Sequence, residues 1–324
     1  MNNPVVSIIV VSYNEREYLD QAINGITAQT YPNIQLIIGD DGSSDGSIDY
    51  IKELAKDQKI EFFVMERPKN TSNVIASIRV SNVIKRALSI SKGDYICLMS
   101  GDDFFCDNTK IEKGVAFLEE HPDRSAFVTA YQRQYPDGKK DSHASSFPTS
   151  LYLSGEYLHL SCFLFRKEVY EKGLLLERFC DDVGLMFSIA ALGEFSYSSE
   201  VTFTYRQRSG SIVHEAKELE LQIMEMLLLQ DILCKGIFVR EALARCYVPM
   251  HNCYQNRDSL KQYSKYIQCS QTYDNDYLGD CLKYDHASLL DKMKLHGFMN
   301  RAAFWHFYFR CRRKMYRVSH KKKA

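Results

Sequence analysis

The chain opens on an unbroken β-branched run, residues 5–12 (VVSIIVVS), the pattern of a strand buried on both faces. Residues 15–29 follow with Tyr18, Leu19, Ala22 and Ile26 on one side of a helix. A second apolar run, 34–38, ends at Gly39-Asp40-Asp41-Gly42, and a helix is expected from about residue 45 to 56. Residues 60–65 read as a third strand. Residues 73–91 carry a stripe of Val74, Ile78, Val83, Ala87 and Ile90, which predicts an amphipathic helix. A fourth apolar run, 94–99, closes on Ser100-Gly101-Asp102-Asp103. Alternating strand and helix predicts an α/β doubly wound sheet. Ligands of such sheets bind beyond the carboxyl ends of the strands. The acidic loops 40–45 and 100–103 both fall at such ends, so they are expected to face one crevice.

Beyond residue 125 the pattern is mixed. Residues 125–135 and 195–206 read as strands, 181–192 as a helix, and 136–150 as a polar loop. Residues 215–234 form a strong helical pattern, and the remainder reads as a mainly helical C-terminal extension with few glycines or prolines.

The chemistry is constrained by what the first loop lacks. A dinucleotide-binding loop needs glycines between the first strand and helix, and Ser12-Tyr13-Asn14-Glu15 has none. A Walker loop is absent as well. Phosphates would then need another source of positive charge. The adjacent carboxylates Asp102 and Asp103 suit Mg²⁺ or Mn²⁺, which accept carboxylate, water and substrate phosphate oxygens. Alone, such a pair is more often an exposed turn; two acidic loops at neighbouring strand ends change that balance.

Composition sharpens the picture at one place. The 324 residues include 41 basic and 41 acidic side chains. Zero net charge argues against a nucleic-acid partner and against a disordered polyelectrolyte. The balance is a cancellation, however. Residues 301–324 hold nine Lys or Arg and no acid, leaving 32 basic and 41 acidic groups in the first 300. On a helical wheel of residues 304–321, His306, Arg310, Arg313, Lys314, Arg317 and Lys321 share one side. Phe304, Trp305, Tyr308, Cys311 and Met315 share the other, interrupted by Arg312. A basic face opposite aromatic residues is the pattern of a helix at an anionic membrane surface, with packing on the body of the protein as the alternative. No run of about 18 apolar residues predicts a spanning helix. The N-terminus has no secretory signal pattern, and the ten cysteines form no C-x-x-C pair. The expected location is cytoplasmic, with reduced thiols.

Three segments carry a resemblance: 6–15 (VSIIVVSYNE), 28–45 (AQTYPNIQLIIGDDGSSD) and 93–103 (GDYICLMSGDD). In order and spacing they resemble a family 2 glycosyltransferase with the GT-A fold, a Rossmann-like doubly wound mixed sheet. The likeness covers about the first 105 residues and continues more weakly to about 212. It implies a catalytic domain over 1–214, with a nucleotide-sugar half to about 105 and an acceptor half over 106–214. Residues 215–324 would form the helical extension, ending in the basic tail 301–324.

The resemblance also implies roles. Val11, Ser12, Tyr13 and Glu15 would lie along the nucleoside. Asp41 would accept a hydrogen bond from the base, which favours a UDP-sugar over a GDP-sugar and fits dTDP equally. Arg79 would lie near the nucleotide. Asp102 would approach the ribose or the metal, and Asp103 would ligate Mn²⁺ or Mg²⁺. Ser100 stands where many relatives carry a further Asp. Asp182 would take the acceptor proton, with Asp181 in the place of the usual Glu; ordinary helix capping is the alternative reading. Arg206 or Arg208 would help neutralise the diphosphate. A single carboxylate base implies an inverting transfer. The implied acceptor is a saccharide, linked to a lipid diphosphate in O-antigen or capsule assembly at the cytoplasmic face of the inner membrane. Alternatives are transfer to a protein or free glycan, or a catalytically silent nucleotide-sugar-binding module.

Overall fold

The structure is a computed structural model that describes residues 3–57, 59–65, 76–144, 147–175, 182–208, 232, 236–255 and 298–320. Apart from Ile232, the helix expected at 215–234 lies outside the described residues, as does Asp181.

The first four strands are parallel. β1 (Val6–Ser12) lies between β2 (Ile34–Asp40) and β4 (Tyr95–Ser100), and β3 (Ile60–Val64) forms the edge beyond β2. In register, Val6 sits between Ile34 and Tyr95, and Val11 between Gly39 and Ser100. Five of the seven β1 residues from its start are buried in sequence, as its unbroken apolar run demands. Its serines are accommodated by pairing. Ser7 Oγ donates to Gln35 Oε1 (2.5 Å) and accepts from the Gly93 N–H (2.8 Å).

Helices α1 (Arg16–Thr27), α2 (Ser47–Asp57) and α3 (Ala76–Ile90) connect these strands. α1 buries Leu19, Ala22, Ile23 and Ile26, a spacing that keeps one face on the sheet. α3 approaches β2 closely at Gly39. A Cβ there would meet Val83 Cγ1 at 2.5 Å and Phe63 Cζ at 2.6 Å.

The second half extends the same sheet. β4 is followed by β5 (Phe104–Phe105), α4 (Lys110–Glu120), β6 (Arg124–Gln134) and β7 (Lys140–His143). Then come α5 (Thr149–Leu153), a 3₁₀ turn at Leu160–Cys162, β8 (Phe163–Arg166), α6 (Glu168–Glu171), α7 (Asp182–Leu192) and β9 (Glu194–Arg206). The strand order is β3-β2-β1-β4-β8-β6-β9-β5, with β7 paired to β6. β8 runs antiparallel to β4 and β6, while β9 runs parallel to β6. The sheet is therefore mixed, as expected of the fold. The expected polar loop 136–150 contains a strand instead. β7 pairs with Tyr131–Gln134 of β6, and its charged, half-exposed residues suit a sheet edge. α7 is apolar all round, with Gly184 to Ala190 buried, so it forms an inner wall of the second half.

Two C-terminal helices, α8 (Val239–Gln255) and α9 (Phe298–His320), pack on each other and on α5. Phe309, Ala244 and Leu151 form a small second core, with Phe147, Trp305 and Tyr316 around it. The face of α9 that meets the body is set by Ala302, Phe309 and Arg313, joined by Trp305 from the expected aromatic side. His306 Nδ1 lies 2.9 Å from the Ala244 carbonyl. Arg313 Nη1 donates to the Ser154 carbonyl (2.8 Å) and Oγ (2.9 Å), and Arg317 Nη2 to both Glu156 carboxylate oxygens (2.7 Å each). Two cations of the expected basic face are thus turned to the body. The outward row is Phe304, Phe307, Met315 and Val318.

Candidate active site

Order switches at β1, whose chain leaves toward β2 while β4 lies on its other flank; this is where ligands of doubly wound sheets bind. The loops after β1, β2 and β4 meet there. The Gly101 N–H donates to the Val11 carbonyl, and the Asp41 N–H to the Ser12 carbonyl, both at 2.9 Å. Asn14 takes a left-handed conformation (φ 52°). Its N–H donates to Ser43 Oγ and its Oδ1 accepts from the Ser44 N–H, both at 2.8 Å. Asp45 accepts from the Arg16 N–H (2.9 Å) and from Ser47 Oγ (2.6 Å). The first and second loops are therefore laced into one rigid rim.

Of the two aspartates ending β2, Asp40 is spent on its own loop, accepting from the Ser43 N–H and Oγ at 2.7 Å each. Asp41 is buried beside it and accepts from Arg79 Nε at 2.9 Å. The Arg79 guanidinium lies 5.7 Å from the centre of the Tyr13 ring. Asp41, Arg79 and Tyr13 thus converge, while Val11 and Ser12 supply the backbone floor between them.

A second cluster lies beyond β4. Glu15, Asp102 and Asp103 are all buried. Arg208 Nε donates to Asp102 Oδ2 (2.7 Å) and Arg208 Nη2 to Glu15 Oε1 (3.2 Å). The Arg206 N–H donates to Asp103 Oδ1 (2.9 Å), and its Nε to the Asp102 carbonyl (2.8 Å). Burial, then the Asp102 charge, raises both the Glu15 and Asp103 carboxyls well above the usual range; Arg208 pulls against this at Glu15. Glu15 Oε2 and Asp103 Oδ2 are buried without a hydrogen-bond partner. The two arginines therefore leave one oxygen of Glu15 and one of Asp103 unpaired. The unpaired Asp103 Oδ2 suits a divalent cation that takes few protein ligands and completes its shell with water and phosphate. Among the described residues no three His, Cys, Asp or Glu side chains form a ready metal cage.

His159 faces this cluster, with Nε2 3.8 Å from Asp103 Oδ2. Its Nδ1 accepts from the Ser161 N–H (3.2 Å), which leaves the proton of the neutral ring on Nε2, toward Asp103. Burial holds the imidazole down at about 4, opposed by Asp102 and assisted by the Lys110 charge. Lys110 is itself buried, and its Nζ donates to Thr129 Oγ1 (3.1 Å), the Cys162 carbonyl (3.1 Å) and Thr202 Oγ1 (3.3 Å). Neither His159 nor Lys110 has a local sequence signal for this placement. Long-range pairing of β6, β8 and β9 brings them together.

Asp182 opens α7. Its side chain is reached by solvent, yet surrounding protein raises its carboxyl to about 6. Asp182 in turn acts electrostatically on Asp103, Tyr205 and Tyr157.

The comparisons with known proteins give the family and the fold. The family model described as "Glycosyl transferase family 2" matches residues 7–175. This chain belongs to glycosyltransferase family 2. A putative teichuronic acid biosynthesis glycosyltransferase of Bacillus subtilis is 30% identical over 136 residues, 42% of this chain and 50% of that protein. Staphylococcus aureus TarS (residues 1–349), solved with UDP-GlcNAc, superposes with a TM-score of 0.62 at 15% identity, covering 97% of this chain and 92% of TarS. The mannosyltransferase PcManGT of Pyrobaculum calidifontis, solved with GDP-Man and Mn²⁺, superposes with a TM-score of 0.51 at 15% identity over 95% of this chain and 88% of that one. At those identities the superpositions establish the GT-A fold alone. The chain spans 61% of the length of the mycobacterial relatives that it matches.

Proposed function

We propose that this family 2 chain is an inverting, metal-dependent glycosyltransferase that moves a sugar from a UDP-sugar to a saccharide acceptor. The observation that carries this reading is the pairing of two unlike carboxyl sites close enough to interact electrostatically. On one side, Asp103 presents an unpartnered, buried oxygen among fixed guanidiniums. On the other, Asp182 is solvent-reached and tuned to about 6.

Asp41 would accept the uracil N–H, with Arg79 fixing its carboxylate and Tyr13 lying beside the base. TarS was solved with UDP-GlcNAc, which accords with a uridine donor. Arg206 and Arg208 hold the acidic cluster in place and would supply the positive charge that a diphosphate needs. Asp103, with Asp102, would hold Mn²⁺ or Mg²⁺, and the ion would stabilise the charge of the departing diphosphate. Asp182 would take the proton of the acceptor hydroxyl as that oxygen bonds to the sugar's anomeric carbon. The bond from that carbon to the β-phosphate breaks on the opposite face, so configuration inverts. Asp181, its neighbour in sequence, would assist.

The acceptor reading follows the same path. The B. subtilis relative is named for teichuronic acid biosynthesis, a surface polymer, and a lipid-diphosphate-linked saccharide of O-antigen or capsule type fits a chain with an outward apolar row. Phe304, Phe307, Met315 and Val318 are all more than half exposed on α9. Arg310 and Lys314 flank them, the arrangement of a helix lying on anionic lipid at the cytoplasmic face. No helix among the described residues is long and apolar enough to cross a membrane. The test is a panel of UDP-, dTDP- and GDP-sugars, scored for binding and for Mn²⁺-dependent hydrolysis. Selective turnover of a UDP-sugar is expected. Binding of a GDP-sugar in preference would refute the role of Asp41.

A further inference from the structure

We propose that Tyr157 is the stacking platform for the acceptor saccharide, an inference that rests on the glycosyltransferase reading of the site. Tyr157 belongs to the segment between α5 and the 3₁₀ turn, and its side chain is 57% exposed. The ring is reached by water and stands beside the site: its centre is 6.2 Å from that of His159, whose Nε2 lies 3.8 Å from Asp103 Oδ2.

The surroundings form an aromatic wall. The Tyr157 ring centre is 6.5 Å from that of Tyr131 and 6.2 Å from that of His159, both edge-on. His159 in turn packs at 4.5 Å on Tyr205. Perpendicular packing on two rings holds Tyr157 in place, and its exposure leaves ring surface for another partner. A pyranose has the complementary shape: one face of axial C–H groups and a rim of hydroxyls. Stacking that face on Tyr157 would direct a rim hydroxyl toward Asp182.

The platform is built rigidly. Gly155 takes φ 126°, a conformation open to glycine but strained for other residues. Glu156 is clamped by Arg313 Nε (3.3 Å) and by Arg317, and Ser154 by Arg313. Two residues further on, His159 is buried. The exposed ring thus projects from a backbone pinned on both sides, so little ordering entropy is lost on binding.

Saturation-transfer NMR on the full chain with Mg²⁺ and UDP present tests this. The probes are methyl glycosides of hexoses, N-acetylhexosamines and 6-deoxyhexoses, with aromatic protein protons irradiated. At least one glycoside should receive saturation at ring C–H protons. Tyr157→Ala should weaken that glycoside by about tenfold, while Tyr157→Phe retains it. UDP should show undiminished saturation transfer in all three proteins. Equal glycoside binding in wild type and Tyr157→Ala, or no glycoside binding in wild type, overturns the platform while UDP binding leaves the donor site standing. Absence of UDP binding in wild type overturns the glycosyltransferase reading and the platform with it. Joint loss of UDP and glycoside in Tyr157→Ala assigns the ring a structural role and refutes the proposal.

Discussion

Gly101 shows how one residue sets the acidic cluster. A Cβ there would lie 2.5 Å from Glu15 Oε2 and 3.1 Å from Leu19 Cδ2. Gly101→Ala must therefore displace Glu15, and with it the carboxylate that Arg208 shares with Asp102. Overpacking of this kind costs about 1–3 kcal/mol. Thermal denaturation should show that loss, and Mn²⁺ titration should show weaker binding; an unchanged Tm with unchanged Mn²⁺ affinity would contradict the packing described. A second expectation concerns Asp182. Its carboxyl is raised to about 6 by desolvation. The base form gains population as pH rises through about 6. Turnover should therefore climb with one-proton dependence through that value and level off above it. A profile flat from pH 5 to 8 would exclude Asp182 as the base.

The residue scale also shows what the sequence could reveal. Asp41, Asp102, Asp103 and Glu15 were legible because they sit in short loops directly after apolar strands, where local order and fold geometry fix their place. Arg79 was ambiguous, since a helix arginine has no local mark of its partner; the structure gives it Asp41. His159, Lys110 and Tyr157 were not legible in these roles. Each owes its position to contacts between residues dozens of positions apart.

At the scale of elements, the nucleotide half reads directly from its pattern because buried parallel strands are unbroken apolar runs. The edge strand β7 was hidden by its charge: an exposed strand gains nothing from apolar residues, so KDSH looks like loop. α9 was read as amphipathic, but with its faces assigned by charge alone. The structure divides its cations by function. Arg313 is largely covered, donates to Ser154 and pairs with Glu156, whereas Arg317 is 57% exposed. Arg313→Ala should cost about 1–3 kcal/mol, because it leaves buried acceptors unpaired. Arg317→Ala should cost no more than about 1 kcal/mol, the range of exposed ion pairs. Denaturant titration of the two variants checks the difference, and equal losses would place Arg317 in the core as well.

At the scale of the whole molecule, zero net charge conceals a division of labour. An acidic body carries the carboxylates of the site, and the basic end carries α9. Because Ala302 and Phe309 are buried, removing α9 would open the small core against α5. The membrane role is better tested on the outward row alone. Replacing Phe304, Phe307, Met315 and Val318 with serine should release the protein from vesicles containing anionic lipid while leaving UDP binding intact. Unchanged co-sedimentation would reject α9 as a docking surface.

The central claim is that a donor site at Asp41 and Asp103 faces a proton acceptor at Asp182. Asp182→Asn keeps the shape of the side chain and removes its basicity. Calorimetry with UDP and Mn²⁺, paired with turnover of the preferred UDP-sugar, addresses that claim most directly. The variant should bind UDP as the wild type does and lose turnover by at least about a hundredfold. Retained turnover, or UDP binding lost together with it, would contradict the assignment.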